Sequence, residues 1–156
     1  MSDPQGDNPG VLIFPPLLFL ICLVCGVIAH VVCPYRFAYS TWVRVVGGGL
    51  GLAAFGFAIW GRRTMTAAGT NVRPNLPALA IVSSGPFAYS RNPLYLGVMG
   101  LFAGIGVALA SPAFLIVLAP LFVVLRLGVV TREERYLDAK FGDVYRAYKA
   151  RVRRWL

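Results

Sequence analysis

From Leu94 to Val130 the chain reads LYLGVMGLFAGIGVALASPAFLIVLAPLFVVLRLGVV. Two apolar runs, Leu94 to Ala110 and Ala113 to Val130, are parted only by Ser111 and Pro112. A helix crosses a hydrocarbon core about 30 Å thick with about 20 residues, and each run comes close to that length. So short a connection folds the two into an antiparallel helical hairpin. A hairpin of two spans returns the chain to the side it left. Whatever precedes Leu94 and whatever follows Val130 therefore share one face of a membrane.

Upstream, Val11 to Cys33 is a further apolar run of spanning length, with Pro15 and Pro16 near its start, where a missing backbone donor costs least. It does not read as a signal peptide. Asp3 and Asp7 stand where a basic front belongs, the run is too long, and Pro34-Tyr35 is no small-residue cleavage site. Trp42 to Trp60 is a second early span, rich in glycine, and Gly47-x-x-x-Gly51 reads as a close-packing face. That face serves packing against the first or third span and self-pairing equally well, so the oligomeric state stays open. Gly61 to Pro93 is polar and irregular, broken by Pro74, Pro77, Pro86 and Pro93. Beyond Thr131, Leu137, Phe141, Tyr145 and Tyr148 recur at helical spacing within a charged sequence, which predicts an amphipathic C-terminal helix interrupted at Gly142. The expected fold is all-α: one polytopic membrane domain over residues 1–156, with about four transmembrane helices, a helical hairpin and a C-terminal amphipathic cytoplasmic helix.

Composition supports this. Of the 156 residues 58% are hydrophobic and 13% charged, against roughly 25% charged in a soluble domain. Mean hydropathy is +0.69, which excludes a water-soluble globule of this size. A net charge of +9 invites a nucleic-acid reading, but the placement of the charges removes it. The 124 residues from Asn8 to Thr131 carry no carboxylate, while eight basic residues fall between Arg132 and Arg154 and four between Arg62 and Arg91. These are flanking charges of membrane spans, and the positive-inside bias places both basic segments and both termini in the cytoplasm, with the Pro34 to Thr41 loop outside. Cys22, Cys25 and Cys33 lie in or at the edge of the first apolar run, so neither a disulfide framework nor a metal site is expected.

Three groups of residues bear on chemistry. The polar segment ends Ser83-Ser84-Gly85-Pro86-Phe87-Ala88-Tyr89-Ser90-Arg91-Asn92-Pro93-Leu94-Tyr95-Leu96-Gly97 at a membrane boundary. Read locally, Gly85-Pro86 is a turn, Asn92 caps a helix begun by Pro93, and Tyr89 and Tyr95 are interfacial aromatics. Glu133 and Glu134 are the first carboxylates after the long acid-free stretch, on the same membrane face. They are either solvated helix-start charges or the second wall of one pocket. Arg126 is a charged residue deep in the sequence of a predicted span. Seven residues from Glu133, it either shares that carboxylate's helical face or snorkels to the boundary. His30 reads as an interfacial or packing histidine.

Taken as a set, Val82 to Gly97 followed by Glu133-Glu134-x-x-Leu137-x-x-x-Phe141-Gly142-x-x-Tyr145-x-x-Tyr148-x-x-Arg151-Val152 resembles the isoprenylcysteine carboxyl methyltransferase family. Phosphatidylethanolamine N-methyltransferases share a looser form of the pattern. The resemblance covers about Leu79 to Trp155 and implies a cofactor-binding half over residues 79–156. It implies S-adenosylmethionine in a cytoplasm-facing pocket beneath the C-terminal helix, with a lipid or other lipophilic substrate entering from the bilayer. By motif position Leu79, Ala80, Ile81, Val82 and Phe87 would line the cofactor, Asn92, Pro93, Leu94 and Tyr95 would hold it, and Glu133, supported by Glu134, would bind its polar end. Two positions depart from the family pattern. Asn92 stands where histidine is usual; it can hydrogen-bond but takes no proton near neutral pH. Val129 stands four residues before Glu133, where the prenylcysteine enzymes carry an arginine, which leaves Arg126 to orient a polar or anionic acceptor.

The activity implied is methyl transfer to a membrane-soluble acceptor, with the membrane and a lipophilic substrate as partners and no nucleic acid. Two alternatives carry their own signatures. An NADPH-dependent sterol or isoprenoid reductase would use Arg62, Arg63 and Arg73 on the 2′-phosphate. A non-enzymatic scaffold would pair through Gly47 to Gly51 and bind anionic lipid through the basic tail.

Overall fold

The computed structural model describes residues 8–33, 35–38 and 40–156. Asp3, Asp7, the N-terminus and Pro34, on which parts of the sequence reading rest, lie outside them. Among the described residues every regular element is helical. Pro15 and Pro16 open α1 (Pro15–Val32), in the turn whose backbone donors have no helical partner. Ser40 caps α2 (Thr41–Ala67) by accepting from the Val43 N–H at 3.5 Å. α2 runs past the predicted end at Trp60, because nothing from Gly61 to Ala67 breaks a helix; the chain turns away at Gly69, with φ +69°.

A short 3₁₀ turn at Gly85–Ala88 precedes α3 (Pro93–Ala108). Leu109, Ala110 and Ser111 separate α3 from α4 (Pro112–Val124), a connection short enough for the hairpin. α4 does not end there. Leu125–Val130 winds as a π-helix and continues into α5 (Thr131–Phe141), so that Pro112–Phe141 is one rod of 30 residues. Its apolar part ends at Val130, and the charged Thr131–Phe141 portion extends beyond the membrane-spanning segment. Glu133 and Glu134 therefore stand in mid-rod and not at a helix start. Gly142, with φ +52°, ends α5 and lets α6 (Asp143–Arg151) depart in a new direction, at the predicted break.

α1, α2 and the rod are long and apolar enough to cross a membrane. α3 is equally apolar but has 16 residues, about 24 Å of helix. The four expected spans are thus three long helices and one short one. Their ends are sorted by hydrogen bonds. The Phe37 N–H donates to the Ala110 carbonyl at 2.9 Å and Arg44 Nε to the Ala108 carbonyl at 2.8 Å, which sets the start of α2 beside the end of α3. The Leu12 N–H donates to the Gly128 carbonyl at 3.3 Å, fixing the entry to α1 at the π segment.

Packing follows the small residues. α2 and α3 touch backbone to backbone: a Cβ on Gly104 would lie 2.5 Å from the Gly51 Cα, and one on Gly47 would strike the Val107 side chain. The Gly47-x-x-x-Gly51 face is thus used within the chain, against the third apolar helix. Leu18 and Cys22 of α1 pack with Met99 and Phe102 of α3 and Phe114 and Leu121 of α4 in the main core. A second, smaller cluster sets Phe87 against Tyr145 and Tyr148 of α6. It roofs the site.

Candidate functional site

At the end of the bundle where α2 and the rod leave the apolar zone, a cavity encloses about 880 Å³ of empty space, its mouth included. Three segments build it: the loop after α2, the start of α3, and the packed pair α5 and α6.

The loop is held by side chains. Thr70 Oγ1 accepts from the Leu79 N–H at 3.0 Å and the Ala80 N–H at 3.4 Å. Asn71 Nδ2 donates to the Pro77 carbonyl at 2.9 Å, and the Tyr136 hydroxyl accepts from the Ala78 N–H at 3.2 Å. Ala80, Ile81, Val82 and Phe87 line the cavity. Leu79 does not: the residue is 61% exposed.

At the start of α3, Asn92, Pro93, Leu94 and Tyr95 all line the cavity. Asn92 occupies the N-cap position without capping; its Nδ2 donates instead to the Arg154 carbonyl at 3.0 Å. Ser90 Oγ reaches the same carbonyl at 3.3 Å, and the Arg91 N–H donates to the Arg153 carbonyl at 3.0 Å. The Arg91-Asn92-Pro93 segment and the C-terminus are thereby fastened together. Tyr148, whose hydroxyl donates to the Phe87 carbonyl at 2.8 Å, closes the roof. Burial pushes the Tyr148 phenol up to about 12 and raises Tyr145 as well.

The two glutamates line the same cavity with opposite surroundings. Glu134 is buried and fully engaged: Arg154 grips it with Nε at 3.1 Å from both oxygens and NH2 at 2.5 Å from Oε2, while Arg91 NH2 lies 3.2 Å from Oε1. Glu133 has one short bond, from the Tyr95 hydroxyl at 2.6 Å. Burial pushes its carboxyl up to about 7; the Tyr95 bond opposes that rise and the Glu134 charge adds to it. Arg126 is not brought to the cavity and stands exposed on the rod. Seven residues return to one face only in an α-helix, and the wider winding of Leu125–Val130 carries Arg126 off the face of Glu133. Arg73 lines the cavity, whereas Arg62 and Arg63 are exposed on α2 outside it. Sequence reasoning missed Thr70, Arg91, Tyr145 and Tyr148 as wall residues. Arg91 sits inside the quoted motif and was legible there; the tyrosines were visible only as helix periodicity.

Fold and cavity define a polytopic helical membrane protein with a charge-lined chamber at one end of its bundle. The chain belongs to the phospholipid methyltransferase family, whose model matches residues 42–144, about two thirds of its length. This is a family of integral membrane methyltransferases related to the isoprenylcysteine carboxyl methyltransferases. Over 27 residues the chain is also 67% identical to a protein of Haemophilus influenzae described as uncharacterized, a match that covers 17% of this chain and 43% of that one. No solved structure matches.

Proposed function

We propose that the cavity binds S-adenosylmethionine and that the protein passes its methyl group to a lipophilic acceptor entering from the bilayer. The observation that carries this reading is the convergence of the two separated motif segments, 80–95 and 133–148, on one chamber with the Glu133 carboxylate in its wall. The residues suit the ligand. Phe87, Tyr145 and Tyr148 offer an aromatic boundary for a purine, and Glu133 offers an anion for the cationic end.

The sulfonium supplies a methyl group already activated for in-line attack, the S–C electron pair remaining on sulfur as the new bond to the acceptor forms. The protein therefore needs to align and desolvate more than to move protons. Tyr95 holds Glu133 through the 2.6 Å bond from its hydroxyl. Arg126 is not among the residues that line this cavity, and the identity of the acceptor is the object of a methylation screen on lipid extracts.

Thermal unfolding of the detergent-purified protein with S-adenosylmethionine, S-adenosylhomocysteine or NADPH tests the reading. The first two raise the melting temperature, as a ligand specific for the folded state must, and Glu133→Gln reduces the shift. Stabilisation by NADPH alone would transfer the site to a reductase, with Arg73 as its phosphate contact. No shift with any of the three would sink the cofactor assignment.

A further inference from the structure

Ahead of α1, residues 8–12 run along the rod. The Leu12 N–H donates to the Gly128 carbonyl at 3.3 Å, and Arg132 NH1 donates to the Gly10 carbonyl at 3.1 Å. Four helical residues advance the rod by roughly 6 Å, a length that two linking residues can span. The segment therefore lies beside the rod axis, with its tip toward the charged end. Its root is packed: Val11 joins the main core, and a Cβ added at Gly128 would lie 4.0 Å from the Leu12 Cβ. Its tip is a turn closed on itself, in which the Gly10 N–H donates to Asn8 Oδ1 at 2.8 Å.

The tip borders open space twice. Pro9 lines the chamber, and it also lines a second, more open groove shared with Asn8, Arg132, Arg135, Tyr136 and Ala139. A wall residue with space on both counts has little burial to hold it, which places it at the low-stability end of the structure. Between root and tip stands Gly10, with φ +57° and no atom within 4 Å of the position its Cβ would take. That backbone conformation suits glycine and resists any L side chain. The contact with Arg132 lies beyond Val130, where the apolar part of the rod ends, so the tip moves in water and not in lipid.

We propose that residues 8–10 form a strap that closes one side of the chamber, held shut by the Arg132 bond to the Gly10 carbonyl and hinged at Gly10, and that its release admits water-soluble ligands. The strap precedes residues 42–144, the family-matched part of the chain. Its closure does not depend on which ligand the chamber takes, and the test uses none.

In a protein with Cys22, Cys25 and Cys33 replaced by serine, Val72→Cys places a thiol in the chamber wall. The rate at which a water-soluble maleimide labels it is measured in detergent, below the melting temperature. Arg132→Ala removes the donor that holds the strap. Gly10→Ala adds a Cβ that touches nothing and acts through the backbone alone. Loss of a charge-assisted bond, or one L residue forced into the left-handed region, shifts an equilibrium by roughly fivefold or more, so labelling should quicken about fivefold in both variants. Arg135→Gln removes a charge from the same groove and leaves the Gly10 carbonyl its partner; its labelling rate should match the parent's. In a parallel protein that keeps the buried Cys22 as its one cysteine, none of the three substitutions should expose that thiol, which separates opening of the strap from general loosening. Less than a twofold rise in either strap variant, an equal rise in Arg135→Gln, or a matching rise at Cys22 overturns the strap.

Discussion

Glu133 and Glu134 are adjacent in sequence and identical in chemistry, yet their substitution has different consequences. Glu134 is the shared counter-charge of Arg91 and Arg154, so Glu134→Gln leaves two guanidinium groups facing one another in a buried wall. Breaking such a buried pair costs about 3–5 kcal/mol, and a marked loss of stability in detergent unfolding is expected. Glu133→Gln keeps an acceptor for the Tyr95 hydroxyl and leaves no charge unpaired, so stability changes little and ligand binding falls. The pH dependence has a definite sign. The carboxyl of Glu133 titrates at about 7, and only its ionised form attracts a cation. Roughly a tenth is ionised at pH 6 and nine tenths at pH 8, so affinity for S-adenosylmethionine rises roughly tenfold over that interval. The Glu133→Gln variant should lack this part of the pH profile, and an unchanged profile would remove Glu133 from the proposed contact with the cationic end of the ligand. In the ligand-free protein the same raised carboxyl favours the protonated form, so its contribution to stability diminishes as pH rises from the ordinary carboxylate range through 7.

At the scale of elements, the helical hairpin was legible because apolar length and a two-residue connection admit few other folds, and the break at Gly142 because glycine alone interrupts an otherwise helical pattern. The π winding of Leu125–Val130 was not legible. Nothing in LRLGVV distinguishes it from α-helix, and the seven-residue argument for Arg126 failed with it. The roles of Arg91 and Arg154 were hidden for a related reason: they depend on the C-terminus returning to α3 through hydrogen bonds between residues distant in sequence. The glycines of α2 and α3 were legible as a packing face, though not their partner. That partner makes a prediction. A Cβ at Gly97 would run into the Ala54 carbonyl and the Ala58 Cβ, backbone that cannot turn aside, whereas Gly56 has nothing within 4 Å. Gly97→Ala is expected to cost about 1–3 kcal/mol by overpacking and, by displacing the adjoining Pro93 to Tyr95 turn, to weaken ligand binding. Gly56→Ala should be neutral or stabilising by up to about 1 kcal/mol, since it removes a glycine from a helix interior. Detergent unfolding of the two variants side by side checks the contrast, and equal losses would refute the α2–α3 contact.

Over the whole molecule, charge and chemistry gather at one end. Twelve of the fifteen basic residues belong to the Arg62 to Arg91 segment and to the stretch from Arg132 onward, both of which build the cavity end. Arg36 and Arg44 stand at the opposite end, where Arg44 holds the Ala108 carbonyl. Basic segments short enough to be sorted by charge remain on the cytoplasmic side, so the chamber should open to the cytoplasm, within reach of the water-soluble methyl donor proposed for it. Native cysteines allow this to be tested. Cys33 is exposed just past α1, near the Arg36 end; Cys22 is buried and Cys25 faces the apolar zone. With Cys22 and Cys25 replaced by serine, a membrane-impermeant maleimide should label Cys33 in intact cells. In a variant with all three cysteines replaced, Arg151→Cys on exposed α6 should be labelled only after permeabilisation. The reverse pattern would place the cavity outside the cell, beyond a cytoplasmic donor, and would overturn the orientation together with the proposed source of the methyl group.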